Sequence, residues 1–178
     1  MSKRVLCLLN DGFEEIEVVT PVDLLRRAGV NVLIAAMGEK MATGRGGIRI
    51  EGDVILADVV ASNFDLLFIP GGPGVGEMRR DGRAARLAGE FAAAGKPVAA
   101  ICAAPLILMD AGLLEGRRFT AYHSVREELG GGLDERVVED GEIITSRGAG
   151  TALDFGLALV ARLCDRAAAE RVAEEVMA

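Results

Sequence analysis

The sequence predicts an α/β fold of flavodoxin-like kind, a three-layer sandwich with a mostly parallel central sheet. Two observations predict it. Strand-like apolar runs alternate with helical patterns along the chain, and repeated β–α alternation with right-handed crossovers places helices on both faces of a parallel sheet. The composition agrees, since 51% of the residues are hydrophobic, Gly and Ala are abundant and Trp is absent. At 178 residues the chain is expected to form one domain, 1–178, with ample core.

The apolar run 4–9 reads as the first strand, and the pattern 14–28 as a helix ended by Gly29. Thr20-Pro21 falls inside that helix, where Pro21 is expected to kink or restart it with Thr20 as a cap. Residues 31–36 form the second strand. The stretch 41–56, rich in Gly and β-branched residues, reads as a hairpin or irregular arm. A short buried strand at 65–69 runs into Pro70-Gly71-Gly72-Pro73, and helical patterns cover 75–94. Another buried strand, 97–101, ends at Cys102 and is followed by a helical pattern through Ala111. Short strands follow at 119–121, 137–139 and 143–145, the last two joined by an Asp140-Gly141 turn. Helices at 150–163 and 167–177 close the chain.

The formal charge of -7, with no clustered Lys/Arg stripe, argues against nucleic acid or an anionic membrane as the main partner. Nowhere do 18 apolar residues run together, so no membrane span is expected. The apolar run 5–9 is too short for a signal sequence and acidic residues follow it, so no export signal is expected either. Cys7, Cys102 and Cys164 are widely spaced and form no CxxC pair, which suggests a reducing compartment without a disulfide framework or zinc site. With His123 the only histidine, no metal site is expected. The expected location is the cytoplasm.

In doubly wound sheets the working groups gather at the carboxyl ends of the strands. Three stretches fall there: residues 10–17, Pro70-Gly71-Gly72-Pro73, and Cys102-Ala103. A cysteine at a strand-to-helix junction is pushed out of the core to where free helix N–H groups point. Those groups favour thiolate, so its pKa is expected to fall. The other reading of Cys102 is a small core residue. Glu14 and Glu15 suit the first turn of a helix and are expected to face water. Glu17 sits among Ile16, Val18 and Val19, where a half-buried carboxyl would have a raised pKa and could donate a proton.

The glycines after Pro70 lack the spacing of a dinucleotide fingerprint or P-loop. They either make an ordinary tight turn or let backbone N–H groups approach a ligand, with Gly72 and Ala103 forming an oxyanion hole. His123 follows a predicted strand directly. Tyr122 precedes it and alternates to the other side, so only one of the two would face the cysteine. Ser146-Arg147-Gly148-Ala149-Gly150-Thr151 reads as a turn or as a helix N-terminus able to receive an anion, with Thr151 near the cap.

Together, Gly12-Phe13-Glu14-Glu15-Ile16-Glu17, the stretch 21–29, Pro70-Gly71-Gly72, Ala99-Ala100-Ile101-Cys102-Ala103 and Thr145-Ser146-Arg147-Gly148-Ala149-Gly150-Thr151 resemble the ThiJ/PfpI superfamily. Within it they are most similar to the branch of the parkinsonism-associated protein deglycase. The resemblance implies a flavodoxin-like fold with Cys102 at a nucleophile elbow. It implies a protonated Glu17 hydrogen-bonded to the sulfur, oxyanion amides at Gly72 and Ala103, and a cytoplasmic homodimer with the first helix near its interface. The protease-like branch carries histidine directly after the cysteine, whereas this chain has Ala103. Where the deglycase-like branch often brings a histidine to the cysteine, alignment places Tyr122, with His123 one residue later.

The leading expectation is a cofactor-free, cysteine-dependent glyoxalase or deglycase acting on methylglyoxal or its early protein adducts in stress protection. Cys102 would be the nucleophile and Glu17 the proton carrier. A second expectation is an oxidative-stress sensor or chaperone using a readily oxidised Cys102. In that case Cys7 is expected to be inert inside its strand, and Cys164 to lack an activating partner. A glutamine-amidotransferase-like hydrolase is a third, with His123 its only available histidine.

Overall fold

A strand covered by helices on both faces must be apolar on both. In the computed structural model, which describes residues 2–178, β1 (Arg4–Leu9), β6 (Leu66–Ile69), β7 (Val98–Ile101) and β9 (Ile143–Ser146) meet that requirement and are buried almost throughout. They form the middle of a seven-stranded sheet of order β5-β2-β1-β6-β7-β9-β8, completed by β2 (Asn31–Ala36), β5 (Val54–Ile55) and β8 (Val137–Asp140). All pairs are parallel except β8 with β9. The strand order therefore reverses between β2 and β6, about β1, and the crevice for a ligand opens at the carboxyl ends of β1, β6 and β7.

One face of the sheet is covered by α1 (Glu15–Arg27), α5 (Ala152–Leu163) and α6 (Arg166–Glu175), which contribute Val18, Leu25, Phe155, Leu159 and Val172 to a buried cluster. Phe155 meets Phe68 edge-on, with ring centroids 5.6 Å apart. The other face is covered by α2 (Val75–Asp81), α3 (Arg83–Ala93) and α4 (Pro105–Asp110), through Met78, Leu87, Phe91 and Ile107. A two-stranded hairpin, β3 (Met41–Thr43) with β4 (Arg49–Glu51), stands apart from the sheet as the expected arm, and β5 returns the chain to the sheet edge.

Three expectations are corrected. The helix α1 continues through Pro21 without restarting. An internal proline costs a helix about 3 kcal/mol, and the burial of Val18, Pro21, Val22, Leu24 and Leu25 offsets that cost. Residues 119–121 form no strand. Thr120 N–H donates to the Thr145 side chain at 2.9 Å, and Leu133 N–H donates to Phe119 C=O at 2.8 Å, so the segment is held extended without joining the ladder. The helix after Cys102 starts only at Pro105 and is six residues long.

Candidate active site

Cys102 follows the last residue of β7 and has φ of 66°, a left-handed conformation that is uncommon for a residue with a side chain. Hydrogen bonds on both sides hold it there. Its N–H donates to Ser146 C=O at 2.9 Å, and its C=O accepts from Tyr122 N–H at 2.8 Å. This turn directs Sγ away from the sheet toward the crevice, although the residue is only 9% exposed. The N–H groups of Gly72 and Ala103 face the sulfur and favour its anion.

Glu17 comes from the first turn of α1 and is fully buried. Its Oε2 accepts from Gly71 N–H at 3.0 Å. Its Oε1 has no hydrogen-bond partner by strict geometry, while the Cys102 thiol and the Ala149 amide both lie close enough to favour the carboxylate. Gly71 is what lets the two side chains approach. A Cβ there would lie 2.6 Å from Cys102 Cβ and 2.6 Å from Glu17 Oε2, so no other residue fits. Gly72 has φ of 106° and its α-carbon faces Gly12 C=O, which fixes where its N–H points.

Burial raises the Glu17 carboxyl to about 7, against smaller opposing effects of the Cys102 thiol and the Gly71 and Ala149 amides. Burial first, and the Glu17 carboxylate second, push the Cys102 thiol up to about 12, while the Gly72 and Ala103 amides pull it back. The fall expected from the helix terminus is thus corrected. The helix is short and starts three residues later, the sulfur is enclosed, and a carboxylate adjoins it. Two adjacent buried anions are strongly disfavoured, so the pair gives up its first proton near 7 and holds the remaining one well above neutral pH. Thiolate forms in that state when the proton resides on Glu17, and Oε1–H can then donate to the sulfur.

Residues 3–162 match the DJ-1/PfpI family. The chain belongs to that family. It is 36% identical over 184 residues to protein dj-1beta of Drosophila melanogaster, covering 99% of this chain and 98% of that one. It is 34% identical to the deglycase PfpI of Pyrococcus furiosus over 148 residues, 81% of this chain and 89% of the relative. The crystal structure of Drosophila DJ-1beta superposes with a TM-score of 0.94 at 35% identity, covering 99% and 98% of the two chains. An oxidized Toxoplasma gondii DJ-1 superposes at 0.93 with 30% identity, covering 99% and 98%.

In this DJ-1/PfpI member the cleft over Cys102 has a volume of about 900 Å³ and brings together every site residue expected from the sequence: Cys102, Glu17, Gly72, Ala103 and His123. Tyr122 and His123 both line it, with ring centroids 4.2 Å apart. Alternation requires a strand, and His123–Val125 is instead a single 3-10 turn. Thr151 lies near the start of α5, but its hydroxyl accepts from Gly148 N–H at 3.1 Å and shares a hydrogen bond with Ser146 Oγ at 2.7 Å rather than capping the helix. That braces the 147–150 loop over Glu17. Glu15, expected to face water, accepts from Gly46 N–H at 2.7 Å and pins the hairpin arm to α1. Glu14 pairs with Arg45 at 3.2 Å.

Cys7 is buried in β1, and burial raises its thiol pKa; Cys164 is exposed at the end of α5. The sequence reading missed the cleft arginines Arg45, Arg126, Arg136 and Arg147 as a group, because no spacing connects them. Among the described residues no cluster of three or more His, Cys, Asp or Glu could hold a metal, and no helix is long and apolar enough to cross a membrane.

Proposed function

We propose that this protein is a cysteine-dependent, cofactor-free deglycase or glyoxalase acting on methylglyoxal or its early adducts. The observation that carries this reading is the buried Glu17 carboxyl set beside the left-handed Cys102, with the Gly72 and Ala103 amides facing the sulfur. The left-handed Cys102 acts as a nucleophile elbow. Its thiolate adds to the aldehyde carbon, a C–S bond forms, and the carbonyl π electrons move to oxygen. The Gly72 and Ala103 amides hold that oxyanion, and Glu17 delivers its proton to it, giving a neutral hemithioacetal.

Glu17, now carboxylate, removes the proton from the former aldehyde carbon and returns it to the neighbouring carbonyl carbon, while the hydroxyl proton passes through the enediol to the former ketone oxygen, leaving a 2-hydroxy thioester. Water hydrolyses the thioester to lactate and restores the thiol. Methylglyoxal and water are consumed, and no external oxidant or reductant takes part. A thiol or amine adduct of methylglyoxal would enter the same path once its leaving group departs. Lactate formation by the purified protein tests the reading, and a protein that forms none from either methylglyoxal or its adducts overturns it.

The reading needs no Cys–His dyad. His123 is exposed and packs on Tyr122, and no hydrogen bond joins it to Cys102 among the described residues. We expect His123→Ala to lower kcat/KM by less than about tenfold, whereas loss of a general base costs about 10² to 10⁴. A loss of a hundredfold or more would assign His123 as a base.

A second reading, an oxidation sensor, is favoured by the solved oxidized form of the Toxoplasma relative. Glu17 would then hydrogen-bond a sulfenic or sulfinic group on Cys102. Under mild peroxide Cys102 is expected to gain oxygen before Cys7 or Cys164 by mass spectrometry; the reverse order removes this reading. A homodimer through the first helix belongs to both readings. It is supported by Ile16 and Val19 of α1 and nearby Ile48, which are all exposed apolar side chains.

A further inference from the structure

The chain has a formal charge of -7, yet Arg45, Arg126, Arg136 and Arg147 converge on the cleft over Cys102. Two of these are already matched by separate acids. Arg45 faces Glu14 at 3.2 Å, and Arg136 grips Asp154 at 2.6 Å. Arg126 and Arg147 are different. Both reach for the same oxygen, Asp134 Oδ1, at 3.3 and 3.1 Å. One carboxylate between two guanidinium groups leaves a net positive charge.

The relative exposures matter. The Asp134 side chain is 78% exposed, whereas Arg126 and Arg147 are 24% and 37% exposed. An ion pair to so exposed a carboxylate is weak, because solvent screens it. Asp134 is therefore easily displaced, and each arginine then turns the N–H groups that held Asp134 to whatever replaces it. Both arginines are also tied to the backbone around the sulfur. Arg147 follows Ser146, whose C=O accepts the Cys102 N–H. Arg126 Nε donates to Ala121 C=O at 3.0 Å, next to Tyr122, whose N–H holds the Cys102 C=O.

We infer that the carbonyl compound handled at Cys102 carries a carboxylate, which docks between Arg126 and Arg147 in the place that Asp134 occupies in the free protein. The inference rests on the proposed carbonyl chemistry for the nature of the substrate, but not for the anion site itself. It makes the favoured substrate an oxo acid bearing an aldehyde. The cleft arginines then both attract the anion from solution and align its carbonyl carbon with the sulfur.

Two measurements test it. The first compares alkylation of Cys102 by iodoacetate and by iodoacetamide, which have similar size but differ in charge. The iodoacetate-to-iodoacetamide rate ratio at Cys102 is expected to exceed that at Cys164 by about tenfold, and to fall as salt rises. The ratio should drop in Arg126→Gln and Arg147→Gln and rise in Asp134→Asn, which keeps both guanidinium groups. Misfolding could only lower the ratio, so the rise in Asp134→Asn distinguishes the anion site from a damaged fold. A ratio equal to that of Cys164, or one untouched by these substitutions, overturns the inference.

The second compares turnover of dioxopentanoate, an oxoaldehyde ending in a carboxylate, with oxopentanal, which ends in methyl. A higher kcat/KM for the acid supports the inference. Turnover of both without preference overturns it and leaves the proposed function standing. Turnover of neither overturns the assignment of an oxo acid as substrate; lactate formation from methylglyoxal then decides the proposed function, and the alkylation ratio decides the anion site alone.

Discussion

Cys102→Ser is expected to lower lactate formation from methylglyoxal by about a thousandfold or more, while leaving the unfolding midpoint within a few degrees of the parent. A hydroxyl in this position is a far weaker acid than a thiol. The proton that Glu17 carries would then have to leave an alcohol, and the amides of Gly72 and Ala103 cannot bridge that gap. The fold has little reason to respond. Ser is close to Cys in volume, and the left-handed turn is held by backbone hydrogen bonds to Ser146 and Tyr122, which do not involve the side chain. Lactate measured enzymatically and an unfolding curve on the same sample separate chemistry from folding. Activity that survives the substitution would end the cysteine mechanism.

Glu17→Gln is expected to have two effects with opposite signs. Activity should fall by about 10² to 10⁴, because an amide cannot carry a proton between sulfur, oxygen and carbon. Stability at alkaline pH should rise. The folded carboxyl titrates near 7 against 4.5 for the ordinary group, so between those values the folded state holds a proton that the unfolded chain has released. The stabilisation from this group is complete below about 4.5 and is lost as pH rises through 7, an expected decline of about 3 kcal/mol. The amide introduced by the substitution stays neutral throughout, and its carbonyl can still accept from Gly71 N–H. Urea unfolding of both proteins at a series of pH values from 5 to 8 should show a sloping stability for the parent and a flatter one for the variant. A parent with no slope over this range would mean that the Glu17 carboxyl is not shifted.

Much of the fold could be read from local pattern. The runs at 4–9 and 31–36 coincide with β1 and β2 because buried parallel strands are continuous apolar stretches with little else to imitate them. The site followed from topology, since residues after β1, β6 and β7 must meet at one sheet edge whatever their distance in sequence. What could not be read depended on partners elsewhere. The apolar residues of 119–121 look like a strand, yet the Thr120 amide is taken by a side chain of β9. Pro21 looks like a break, yet packing on the sheet and against α5, where Gly156 lies close to Pro21 and Leu24, keeps α1 whole.

The sequence by itself determined the sheet and the strand-end position of Cys102, because those follow from periodicity and chain direction, while the family resemblance pointed to Glu17, Gly72 and Ala103 as its companions. Only the tertiary structure decided how acidic the site is and what surrounds it. A pKa depends on burial and on charges within a few ångströms, so the enclosed sulfur next to the Glu17 carboxylate is raised although a strand–helix junction alone suggested the reverse. The arginines of the cleft come from separate loops of an acidic chain, and only folding brings their charges together over Cys102.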